Sequence, residues 1–356
     1  MIMSNIQKIR QALPEYEINA ILIKDPINRL YATGFSSSAG LLLITGESAW
    51  FVIDSRYFEA AGNEITDAQV VLLDKGSKYD DHIEKIIKEN KITSIGFEDS
   101  SLTYASHKTW DLKFDTDLIP AQKLINTLRN VKSRAEVDKM IKAQRLAEKV
   151  FNEILPLVNT GMTEKELSAE IVYRLLRNGA DETAFRPIVV GGKNSSRPHG
   201  LPGDEKIAEG FLTIDFGACL DGWRSDTTRT LCIGKPSDEM VKVYDTVLKA
   251  QEAGIAAVQG GVKGADVDAA ARNVIEEAGF GEFFGHGFGH SLGLEVHETL
   301  SASPLSTDVL PLGAVISAEP GIYLPGRFGV RIEDTLYITE EGCENITNLP
   351  KTLTIL

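Results

Sequence analysis

Residues 211–233 read FLTIDFGACLDGWRSDTTRTLCI: two apolar, strand-forming runs around Asp221-Gly222. Both residues of that dipeptide tolerate the positive φ that a type I′ hairpin turn requires. With the turn placed there, the numbers of cross-strand partners sum to 443, so Asp226 faces Gly217, two residues from Asp215. Side chains alternate faces along a strand, so Asp215 and Asp226 leave the same face as diagonal neighbours, roughly 7–8 Å apart at the backbone. Carboxylates reaching inward from such positions can share a cation instead of repelling across a void. The stretch therefore predicts an antiparallel sheet with a charged site on one face.

A second strand pair, from about Leu312 to Ile338, repeats the arrangement with Glu319 and Glu333, and Arg331 lies on the face of Glu333. Ahead of it runs Gly285-His286-Gly287-Phe288-Gly289-His290, followed by His297. The glycines allow close backbone approach, and a neutral imidazole is the nitrogen ligand an acidic cluster lacks. Four uncompensated carboxylates would raise one another's pKa, whereas two divalent ions would neutralise a formal charge of about −4. The glycines do not make a dinucleotide fingerprint, because the third is misplaced and no parallel βαβ unit surrounds them. Any one of these acids taken singly reads as a solvated or capping residue. Joint occurrence in register on two hairpins carries the metal reading.

Around the hairpins the order is helix, helix, strand pair, twice. Ser133-x-x-Glu136 and Thr163-x-x-Glu166 are capping boxes that open the first two helices, and Asn178-Gly179 stops the second. Helices from about Pro236 and Ala265 form the second pair, and the long helices and the first hairpin acids each recur about 104 residues on. This internal pseudo-repeat predicts one curved antiparallel sheet with helices outside and a ligand site on its inner face. Upstream, short β-branched runs (Ala20–Ile23, Leu41–Ile44, Trp50–Ile53, Val70–Leu73, Ser94–Phe97) alternate with helical stretches, an α/β domain. There Asp54, Arg56 and Tyr57, just after a strand, read as capping or contact residues. The expected division is 1–127 for the α/β domain and 128–356 for the α+β domain.

A chain of 356 residues, 43% apolar and 25% charged, is long enough for two cores and too apolar for disorder. Its 37 Lys plus Arg against 51 Asp plus Glu give a net charge of −14, which opposes nucleic acid and anionic membranes. Cys219, Cys232 and Cys343 show no paired spacing, and the first twenty residues contain no apolar leader core. A soluble cytoplasmic protein is expected.

The segments Ile214–Gly217, Ser225–Thr230, Gly285–His290, Val296–Glu298, Ala318–Tyr323 and Arg331–Asp334 together resemble the Xaa-Pro aminopeptidases and Xaa-Pro dipeptidases, metallopeptidases of the pita-bread fold. The first domain is similar to the creatinase-type amino-terminal domain in its size and its Leu30-Tyr31-x-x-Gly34-Phe35 stretch. The resemblance implies a dinuclear centre: Asp215 and Asp226 on one ion, His290 and Glu319 on the other, Asp226 and Glu333 bridging. It implies Glu319 as proton shuttle, His199 and His297 at the substrate carbonyl, His286 beside the residue after the scissile bond, and Arg331 orienting an acidic ligand. Oxygen-rich ligation favours Mn²⁺, with Co²⁺ or Zn²⁺ able to use the same ligands. The implied substrates are short peptides with proline second, and the implied assembly is a homodimer. Within the fold, the extra amino-terminal domain and His286 argue against a methionine aminopeptidase. The intact five ligands argue against a creatinase-like amidinohydrolase and against a metal-free peptide-binding module.

Overall fold

Four consecutive apolar residues, Ala20–Ile23, are all buried, as in a strand covered on both faces. They lie at the centre of the first of two units, Met1–Arg129 and Asn130–Leu356. The computed structural model describes residues 3–356; residues 1 and 2, the start of the stretch inspected for a leader, lie outside them. The first unit is a mixed six-stranded sheet in the order Gln69–Leu72, Ala49–Ile53, Leu41–Thr45, Ala20–Ile23, Ser94–Phe97, Asp117–Pro120. The edge strand Asp117–Pro120 is absent from the sequence-based strands: only two of its residues are partly covered, and it ends in proline. Asp54 accepts hydrogen bonds from the Arg56 guanidinium (2.7 and 3.0 Å) and the Tyr79 hydroxyl (2.9 Å), a tie local to that junction.

In the second unit both capping boxes form: Ser133 and Glu136 open helix Arg134–Ile154, and Thr163 and Glu166 open helix Glu164–Arg177. The second pair is Asp238–Ala257, capped by Ser237, and Gly264–Glu277. The long helices begin 104 residues apart. Each pair lays an apolar stripe on the strands that follow it. Val150, Ile154, Leu167 and Ile171 pack with Leu212 and Ile214; Val243, Val247, Val267 and Ile275 pack with Ile316, Leu336 and Ile338. Each such side chain contributes about 1.5–3 kcal/mol of burial, and the packing commits one face of the strands to the core. The opposite face is left for the acids.

The turn and register fall where the Asp-Gly dipeptide puts them. Asp221 and Gly222 have φ of 52° and 79°, Leu220 pairs with Trp223 and Cys219 with Arg224, and Asp215 pairs with Thr228. Instead of one continuous ladder, however, each hairpin is interrupted beside its acids. The first breaks into Gly210–Phe216 with Thr227–Ile233 and Ala218–Leu220 with Trp223–Arg224. The second breaks into Val315–Ala318 with Asp334–Thr339 and Gly321–Leu324 with Phe328–Arg331. At the first break a Cβ on Gly217 would stand 1.8 Å from the Ser225 carbonyl oxygen. At the second, Pro320 has no donor, Glu319 N donates to Phe288 O (2.8 Å), and Glu333 N donates to Thr228 O (3.1 Å). Backbone groups that would extend the ladder instead tie neighbouring segments together. The shared register leaves Glu319 opposite Glu333 across the gap.

Candidate metal centre

A cavity of about 560 Å³ opens on the inner face. Asp215, Asp226, His290, Glu319 and Glu333 line it, together with His199, His286, His297 and Arg331, so every residue proposed from sequence reaches one space. Asp226, His290 and Glu333 each bring one ligand atom to within 4.8 Å of the others. His290 Nε2 lies 3.1 Å from Glu319 Oε1 and 3.7 Å from Asp226 Oδ2. Arg331, its side chain only 4% exposed, reaches Asp215 Oδ2 at 2.6 Å and stays 4.0 Å from Glu319. That buried ion pair joins the second hairpin to the first. His297 is exposed, and its ring centroid is 4.2 Å from that of His290.

Burial raises Asp226 and Glu333 well above the usual carboxylate range, and repulsion adds to it, from Asp215 on Asp226 and from Asp226 on Glu333. Burial also raises Asp215, against the opposing pull of Arg331. Burial would raise Glu319 too, but the hydrogen bond and charge of His290 prevail and hold it at about 2. Burial would lower His290, and the Glu319 hydrogen bond and charge carry it up to about 9.

Three carboxylate oxygens, Asp215 Oδ1, Asp226 Oδ1 and Glu333 Oε1, are buried and meet no hydrogen-bond donor. A buried acceptor left unsatisfied is costly, and three around one cavity, with one imidazole beside them, form the hard, oxygen-rich donor set that divalent ions fill. The residues fit such ions.

The groups that orient this set carry no role in the sequence reading. The Thr228 hydroxyl donates to Glu333 Oε2 (2.7 Å) and accepts from Arg331 Nε (3.2 Å). Ser317 Oγ donates to Glu319 Oε1 (3.0 Å) and accepts from His290 N (3.0 Å). The Tyr323 hydroxyl, buried and pushed up to about 12 by desolvation, lies between Arg331 NH1 (2.8 Å) and His286 Nε2 (2.9 Å). His286 Nδ1 lies 2.8 Å from Gly287 O, so both nitrogens of that ring are engaged with the protein. Glu298, next to His297, pairs with Lys132 at 2.6 Å, with side chains 4% and 1% exposed, and pins the histidine's loop. Such outer groups fix ligand orientation.

This fold and cluster define a metallopeptidase, and the chain belongs to metallopeptidase family M24. That family's sequence pattern matches residues 138–340, and the pattern of the Creatinase/Prolidase N-terminal domain matches residues 5–131. The likeness to individual proteins runs the full length. The chain is 35% identical to an Xaa-Pro dipeptidase of Pyrococcus horikoshii over 98% of each chain. A solved Xaa-Pro dipeptidase from Bacillus anthracis superposes with a TM-score of 0.95 at 38% identity, covering 99% of both chains. An X-Pro aminopeptidase from Thermotoga maritima gives 0.92 at 35% identity, covering 97% of this chain and all of that one. The second unit accordingly has the pita-bread fold, and membership of the family implies divalent metal ions.

Proposed function

We propose that the protein hydrolyses the amide bond preceding proline in short peptides that carry proline second. The observation that carries this reading is the convergence of four acids and one imidazole from two hairpins, with three buried carboxylate oxygens lacking any donor. Asp215, Asp226, His290, Glu319 and Glu333 would hold two divalent ions, with manganese favoured by the oxygen-rich donors. Bound there, the ions supply Lewis acidity and make water nucleophilic at neutral pH.

The chain's own groups do the rest. Glu319, at the wall of the cavity, takes the proton of the attacking water and delivers it to the departing proline nitrogen as the carbon–nitrogen bond breaks. His297 lines the same cavity with its ring centroid 4.2 Å from that of His290, and as a neutral imidazole it keeps one N–H to offer. That N–H and His199 steady the oxyanion of the tetrahedral intermediate. Arg331 holds Asp215 through the 2.6 Å pair, and His286 buttresses Arg331 through Tyr323. Proline's tertiary amide has no N–H, so the site needs no acceptor there. A homodimer in the cytoplasm completes the reading, the latter in keeping with three free cysteines.

The test is metal analysis of dialysed protein together with hydrolysis of Leu-Pro with and without chelator. Cleavage that chelator abolishes and Mn²⁺ restores supports the proposal. No cleavage at saturating Mn²⁺ overturns it.

A further inference from the structure

One of the rings proposed to meet the substrate is held by nothing of its own. His199 is exposed at the cavity wall, in the turn Arg197-Pro198-His199-Gly200 that Gly200 N closes by donating to Arg197 O (3.0 Å). Proline suits the second place of such a turn because its φ is already set. Both nitrogens of His286 are engaged and His290 meets Glu319, but among the described residues no hydrogen bond or ion pair reaches the His199 imidazole. Where that ring stands is left to the loop that carries it, residues 192–203.

Both ends of this loop converge on one carboxylate. Glu164, at the start of helix Glu164–Arg177, is 1% exposed. Its Oε1 accepts from Gly191 N (2.7 Å) and Asn194 Nδ2 (3.1 Å), where the chain leaves strand Ile188–Gly191. Its Oε2 accepts from Gly203 N (2.9 Å), where the loop returns. Lys165 N to Gly203 O and Glu164 N to Glu205 O, both 3.1 Å, seat the returning end on the same helix start. Among the described residues no cation pairs with Glu164, so these N–H donors alone offset the cost of burying its charge. What such a carboxylate supplies is a fixed span between two backbone ends.

We infer that Glu164 is a positioning residue: by fixing both ends of the loop 192–203 it aims His199 at the oxyanion of the intermediate. This rests on the role proposed above for His199 and goes beyond it by naming what places that histidine. The middle of the loop is fastened separately to the second hairpin, by Gly329 N to Ser195 Oγ (2.9 Å), Gly326 N to Ser196 Oγ (3.2 Å) and Arg331 NH1 to Pro198 O (3.3 Å). Loosening the ends therefore tilts the loop without releasing it, and a shift of about 1 Å at a group that meets the transition state costs on the order of 100-fold in rate. A glutamine at 164 has the size of the glutamate but turns an amide donor toward one of the two ends, where only an acceptor fits.

The experiment is a double-mutant cycle on Leu-Pro hydrolysis at saturating Mn²⁺, with the wild type, Glu164→Gln, His199→Ala and the double variant, and with Mn²⁺ binding measured by calorimetry. Glu164→Gln is expected to lower kcat about 10–100-fold while KM and Mn²⁺ affinity stay within about twofold of the wild type. In the His199→Ala background the same substitution lowers kcat less than about twofold, because the ring it acts through is gone. Asn194→Ala removes one donor and leaves the carboxylate in place; it is expected to show a smaller loss with the same non-additivity, and it carries the comparison if Glu164→Gln does not fold. An unchanged kcat, losses that multiply in the double variant, or a fall in Mn²⁺ affinity that accounts for the fall in kcat overturns the inference and leaves the Xaa-Pro reading intact. A wild type that does not cleave Leu-Pro at saturating Mn²⁺ overturns both.

Discussion

Asp226 and Glu333 have raised pKa values, so between the ordinary carboxylate value and their own they bind more protons folded than unfolded. They lend stability below about pH 4 and lose it as pH rises through their folded values. His290, carried up to about 9, acts in the same direction: its contribution is full below about 6.5 and lost as pH rises through 9. Glu319, held at about 2, is ionised from pH 5 upward and adds no slope there. Metal-stripped protein is therefore expected to melt at lower temperature as pH rises from about 5 to 9. Added Mn²⁺, which displaces these protons, should raise Tm most at the alkaline end. Thermal melts with and without chelator decide it; a metal increment that is constant across this range contradicts the expectation. At the same scale, His297→Ala should lower kcat roughly 10²–10³-fold with metal content unchanged, whereas loss of metal at constant kcat per metal would refute its role. The convergence of the proposed ligands on one cavity was legible because acids in register and a glycine-framed histidine are local patterns. Thr228, Ser317 and Tyr323 were not, because a hydroxyl declares its role only through its partners: Glu333 is 105 residues from Thr228, and His286 is 37 from Tyr323.

The interrupted hairpins set the element scale. A turn dipeptide fixes register at a distance, which is why the sequence alone assigns Asp215 and Asp226 to one face. The breaks escaped the sequence because their donors go elsewhere, Glu319 N to Phe288 and Glu333 N to Thr228, pairings that no period encodes. Gly217 sits where the strands close most tightly. Gly217→Ala must push the Ser225 carbonyl aside, at a cost of about 1–3 kcal/mol or more, and should reduce bound metal because Asp226 follows Ser225 directly. Gly62, inside helix Phe58–Glu64 with nothing within 4 Å of an added Cβ, provides the contrast. Gly62→Ala is expected to stabilise by about 0.5–1 kcal/mol. Paired denaturation curves and metal analysis test both; equal behaviour of the two variants would show that the close approach at Gly217 can relax.

At the scale of the molecule, the two units have cores of their own, one built around Leu22, Leu43 and Ile95 and the others on the two helix pairs. All five proposed ligands belong to the second unit. Calorimetry is expected to resolve two transitions, of which Mn²⁺ moves only one; a single transition that shifts as a whole would mean the units unfold together. The two-unit plan and the repeated helix–helix–hairpin order were legible from caps and periodicity. The faint edge strand Asp117–Pro120 was not, since a half-covered, proline-ended edge has little pattern to read. The acids are divided evenly, two from each hairpin, with the Arg331–Asp215 pair and the Thr228–Glu333 bond running between the halves. A chain leaving the ribosome thus carries only half of the proposed ligand set until the second hairpin, whose strand Asp334–Thr339 follows Glu333, has emerged and docked. On the proposed reading, cation capture waits for that second hairpin, so a nascent chain stopped short of it would stay inert toward the peptides around it.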